Sequence, residues 1–119
     1  MNFDDAIKAH SNWKIKLSTY LKNPDGSLKV AEVKLDNKCA LGEWIYGEGK
    51  VYSNLTEYQV LKDMHAKFHK EASEVVRKAD AGVDTREITA LGTNSEFANA
   101  SSQVVGAILN MQKKSKIAA

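Results

Sequence analysis

Apolar residues recur at helical spacing along almost the whole chain, with one proline to interrupt them. Pro24 is that proline, and seven glycines complete the punctuation of 119 residues. Long helices are therefore open to the chain, and a turn-rich β fold is not. Phe3, Ile7, His10, Trp13, Leu17 and Tyr20 or Leu21 form one stripe, which predicts a helix over 2–22. Asn23-Pro24-Asp25-Gly26 stops it. Residues 27–38 read as a connector with some helix. Asp36 is placed to cap a short helix from about Asn37, with Cys39 in its first turn and Gly47 and Gly49 at its end.

Asn54 and Glu57 have capping-box spacing ahead of the next helix. Its stripe is Leu55, Tyr58, Leu61, His65, Phe68, Ala72, Val75 and Val76, and Gly82 is its predicted C-terminal cap. Asp84 and Glu87 repeat the capping spacing and open a last helix from Thr85 to about Lys114. Ile88, Leu91, Ser95, Ala98, Ser102, Val105 and Leu109 form its main stripe, with Phe97, Val104 and Met111 on a second line. One domain over 1–119 is expected, all-α. Its natural packing is an antiparallel four-helix bundle with a short extra helix carrying Cys39.

Charge narrows the function classes. Seventeen basic and fifteen acidic side chains leave +2, without the basic face of a nucleic-acid protein. No apolar run approaches the roughly 20 residues that cross a bilayer. The acidic N-terminus, Met1 to Asp5, does not resemble a secretory signal, so the expected compartment is the cytoplasm. A single cysteine excludes an intrachain disulfide and agrees with a reducing compartment.

The chain has three histidines, His10, His65 and His69, and the one thiol of Cys39. Three imidazoles and a thiolate make the number of donors that a closed tetrahedral zinc site takes. His65 and His69 project from the same helix face one turn apart. Spacing alone leaves a second reading open, in which the histidines are hydrogen-bonded core residues and Cys39 a small hydrophobe. In favour of metal, all four fall at positions predicted to face inward, where imidazoles need partners. Other metal chemistries lack their residues. In His65-Ala66-Lys67-Phe68-His69 no glutamate follows the first histidine, so the base of an HExxH peptidase is missing. Ile7, Lys62 and Ala66 stand three before the histidines, so no Glu-x-x-His di-iron motif exists. A thiol-protease reading has a cysteine and histidines but little room for a substrate cleft, and no enzyme is expected.

Cys39-Ala40-Leu41-Gly42-Glu43-Trp44, with His10-x-x-Trp13-Lys14 before it and the His65–His69 block after it, resembles the chemoreceptor zinc-binding domain family. The resemblance runs from Phe3 to about Lys114 and implies a cytoplasmic bacterial helical bundle. It implies one Zn2+ held by His10, Cys39, His65 and His69. It also implies a homodimer that regulates a chemotaxis receptor or a diguanylate cyclase, either as a free-standing member or as a domain cut from one. Such domains are associated with sensing zinc or oxidants through the metal-bound thiolate. The alternative is a structural module in which zinc holds a dimer together without sensing. With four protein ligands the sphere is closed, which disfavours hydrolysis. Asp5, Asp36, Glu43, Asp63 and Glu71 are the carboxylates near enough in sequence to support the imidazole N–H groups.

Overall fold

A computed structural model describes residues 3–85 and 95–118, with the side chains of 115–118 left out. Those residues are helical and contain no strand. Helix α1 spans Phe3–Lys22, α2 Val30–Val33 and α3 Ala40–Tyr46. A 3-10 turn over Glu48–Tyr52 leads to α4, Thr56–Asp80, and α5 follows at Glu96–Ala118. Helices α4 and α5 make the most extensive helix pair, α1 lies against α5 and α3, and α2 packs on α4.

Each long helix forms around its buried stripe. Helix α1 buries Ala6, His10, Leu17 and Tyr20, close to the predicted face, and carries Asp4 and Asp5 at the end that favours negative charge. Helix α4 buries Tyr58, Leu61, His65, Phe68, Ala72, Val75 and Val76, the predicted stripe, and adds His69 and Ser73. Full burial of side chains such as Leu61 and Phe68 is worth about 1.5–3 kcal/mol each. Gly82 follows α4 at φ +87° and donates its N–H to the Ala79 carbonyl, as a glycine cap does.

Helix α1 stops at Lys22 and α3 at Gly47 as expected, whereas two helix starts differ. Asn54 caps nothing: Leu55 is the N-cap of α4, with no side-chain cap. The last helix turns its other face inward. Phe97, Val104 and Met111 are buried together with Ala100, Ser101, Ala107 and Ile108, whereas Ser102 is exposed and Leu109 is 47% exposed. Two stripes compete on this helix, and the α4 surface selects the one that carries larger side chains. Thr85 and Ser95 are not helical, and the predicted start through Glu87, Ile88 and Leu91 lies outside the described residues.

Two hydrogen bonds tie loop to helix at the far end. The Tyr20 hydroxyl donates to Asp80 at 2.7 Å and accepts from the Gly26 N–H at 3.2 Å, joining the end of α1 to the end of α4. At the other end the Tyr58 hydroxyl donates to the Ile45 carbonyl at 2.6 Å and fixes α3 against α4.

Candidate metal centre

Cys39 is itself the N-cap of α3, three residues after Asp36, the predicted cap. Its Sγ accepts the Gly42 N–H at 3.3 Å, so the thiol itself closes the first turn. Asp36 has a different task. Its carboxylate accepts the Tyr46 hydroxyl at 2.5 Å, tying the loop before Cys39 to the last turn of α3. Gly42 makes this fold-back feasible: a Cβ there would stand 1.8 Å from the Asp36 carbonyl oxygen. The short helix is thus pulled tight around the cysteine.

Helix α4 presents His65 and His69 to that cysteine. The Cys39 Sγ lies 3.2 Å from His65 Nε2 and 3.5 Å from His69 Nε2, and the two Nε2 atoms are 3.1 Å apart. Both rings are buried, at 1% and 2% exposure. Three donor atoms therefore form a compact triangle. A tetrahedral ion bonded at about 2.05 Å to nitrogen and about 2.3 Å to sulfur spaces its nitrogens by about 3.3 Å and nitrogen from sulfur by about 3.5 Å. The triangle has the dimensions of one face of such a tetrahedron.

The outer nitrogens set the tautomers. His69 Nδ1 donates to the Val33 carbonyl at 2.9 Å, which leaves the Nε2 lone pair facing the triangle. His65 Nδ1 is buried with no hydrogen-bond partner. Whichever nitrogen of His65 carries the proton, one polar atom is left short: a proton on Nδ1 has no acceptor, and a proton on Nε2 leaves the Nδ1 lone pair unpartnered. A cation in the triangle engages the Nε2 lone pairs that otherwise face each other, so the donor set fits a bound metal.

His10 is placed differently. It is 4% exposed and packs edge-on against Phe68 with centroids 4.6 Å apart, but it is not among the clustered donors. Its Nε2 is 3.2 Å from the Ser101 hydroxyl on α5. It remains near enough for its charge to act on His65, and for that of His69 to act on it.

Burial governs the protonation of all four. It pushes His10 down to about 4, with help from Lys14 and His69, and His65 down to about 3, with help from His69 and His10. Burial also lowers His69, against the opposing pull of the Val33 hydrogen bond and Asp36. The imidazoles are neutral at pH 7, the form that binds a metal. The Cys39 thiol is pushed up by burial despite the Gly42 N–H. Burial outweighs the help that a helix N-terminus gives a thiolate, and without a cation the sulfur keeps its proton.

Val33, Ser101 and Tyr46 shape the site and were not singled out for it in the sequence, whereas Gly42 stood in the block around Cys39. A backbone carbonyl such as that of Val33 leaves no side-chain signal. Gly42 did leave one, as a glycine in the first turn of a helix. Asp36 acts on the loop through Tyr46, and the imidazole N–H of His69 goes to the Val33 carbonyl in place of a carboxylate.

Residues 10–76 match the chemoreceptor zinc-binding domain. The match spans more than half of the chain, which belongs to that family. Comparison with curated proteins and with solved structures found no match in either. Among the described residues no helix is long and apolar enough to cross a membrane.

Proposed function

We propose that this chain is a zinc-binding regulatory domain of bacterial signal transduction. Cys39, His65, His69 and His10 hold one Zn2+, with His10 giving up the Ser101 hydroxyl to become the fourth donor. The observation that carries this reading is the triangle of 3.1, 3.2 and 3.5 Å edges built from the only cysteine and two of the three histidines. When bound, the ion supplies positive charge that holds Cys39 as thiolate. The site takes no substrate and turns nothing over, because its protein donors close the coordination sphere. The cytoplasm, a homodimer and a chemoreceptor or diguanylate cyclase as the regulated partner belong to this reading. So does an antiparallel four-helix arrangement in which the α2–α3 segment covers one side of α1 and α4.

Sensing follows from how Cys39 is held. A two-electron oxidant that adds oxygen to the Cys39 sulfur converts it to sulfenate and weakens one tether of α3. Leu41, Gly42 and Ile45 are buried by that helix, so its release uncovers apolar surface. Loss of zinc releases it in the same way. Metal analysis of the purified chain and of the His10→Ala, Cys39→Ser, His65→Ala and His69→Ala variants tests the reading. One zinc per chain, lost in each variant, is the expected result; a full complement in any variant removes that residue from the site. Oxidant should shift tryptophan fluorescence in the wild type and leave Cys39→Ser unchanged.

The burial of both histidines also favours a structural reading, in which the ion only ties α3 to α4. Affinity separates the two. A structural ion resists strong chelators, whereas a sensory one exchanges near cellular free zinc.

A further inference from the structure

A cleft of about 270 Å³ opens from the surface onto the edge of the triangle, with Cys39 and His69 in its lining. The other residues that matter are charged. Lys16 of α1, Lys29 before α2 and Lys38 beside Cys39 line it, against one acidic side chain, Glu32. All four are exposed. His65, by contrast, is 1% exposed and does not line this cleft. The donor set is therefore reached at its Cys39–His69 edge, through an opening with a local excess of positive charge.

A hydrated divalent cation is repelled by that rim, and a small anion is drawn to it. Resting on the metal reading above, we infer that the cleft is the exchange route of the site and that its lysines select metal carried by small anionic chelators over the bare aqueous ion. Exchange then proceeds by hand-over. The anionic carrier enters the cleft, engages the ion at its Cys39–His69 side, and leaves with it or without it. No bond of the protein is made or broken beyond those to the ion, and no oxidant or reductant is needed. Trp13 walls the same cleft and meets the His69 ring edge-on at 4.8 Å, so an occupant is reported by a tryptophan.

Cobalt(II) is the probe. The chain is loaded with Co2+, and decay of its visible absorption is followed under excess EDTA, which is anionic, or 1,10-phenanthroline, which is neutral. The wild type is compared with a Lys16→Gln, Lys29→Gln, Lys38→Gln triple variant. The expected result is a rate that rises with EDTA concentration and drops about tenfold in the variant, with the phenanthroline rate unchanged. Raising the salt concentration should slow EDTA in the wild type and have little effect in the variant. Rates independent of chelator concentration, or equal slowing with both chelators, overturn the exchange route while leaving the metal site standing. A chain that holds neither cobalt nor zinc overturns the metal reading and this inference with it.

Discussion

His65 and His69 face each other through their Nε2 atoms at 3.1 Å, inside a site where neither ring is more than 2% exposed. The Val33 carbonyl fixes His69 with its Nε2 lone pair inward. Such a contact is at best one weak hydrogen bond and at worst two lone pairs in opposition, and an ion bound to both removes the problem. Metal should therefore stabilise the fold. At free zinc about a hundred times its Kd, linkage gives about 2.7 kcal/mol. For a chain of this size that corresponds to a rise of about 10 °C in Tm. Thermal unfolding with and without a chelator measures it; coincident curves would deny that the folded triangle grips an ion.

The buried imidazoles make the metal-free fold sensitive to acid. Unfolded, each histidine takes a proton near 6.5; folded, His10 does so only at about 4 and His65 at about 3. Between those values the unfolded chain binds more protons, so folded stability falls as pH falls. The loss starts below about 6.5, runs towards 4 for His10 and towards 3 for His65, and reaches about 1.4 kcal/mol per pH unit for each imidazole. Urea unfolding of the metal-free protein should show a lower midpoint at pH 5 than at pH 7, and a shallower pH dependence in His10→Gln.

Gly42→Ala tests the loop that presents the cysteine. The new Cβ would stand 1.8 Å from the Asp36 carbonyl oxygen, so the 36–37 backbone has to move. That backbone leads directly into Cys39, and the Tyr46–Asp36 hydrogen bond is the tie that shifts with it. We expect zinc affinity to fall at least about tenfold, the usual scale for loss of a supporting contact. Helical content should hold, since α1, α4 and α5 do not depend on this turn. Unchanged affinity would mean that the turn does not control the sulfur.

The helices were legible in the sequence wherever one apolar stripe dominated. Ile7, His10 and Leu17 mark α1, and Leu61, Phe68 and Val76 mark α4, because only one face of each can be buried. Helix α5 was misread by one face. Ser102, Val105 and Leu109 form as regular a row as Phe97, Val104 and Met111, and only the partner surface chooses between them. The pairing of His65 with His69 followed from the helical repeat. That Cys39 meets them depends on a fold-back of the 36–42 segment, which has no periodicity to read. The Ser101 contact of His10 spans 91 residues of chain and was beyond any local pattern.

Ser101→Ala separates the two positions of His10. The Ser101 hydroxyl lies 3.2 Å from His10 Nε2 in a buried setting, and without metal its removal would leave that nitrogen without its partner. The loss should be about 1–3 kcal/mol, a drop of several degrees in Tm. If His10 leaves Ser101 to join the ion, the bound form has no such bond to lose. The thermodynamic cycle then requires the variant to bind zinc more tightly by the same free energy, about tenfold for each 1.4 kcal/mol. Unfolding curves and zinc titration of the same variant provide both sides of the cycle. A variant that is less stable and also binds zinc more weakly would show that Ser101 supports His10 in the bound state, and that the histidine reaches the ion without releasing the hydroxyl.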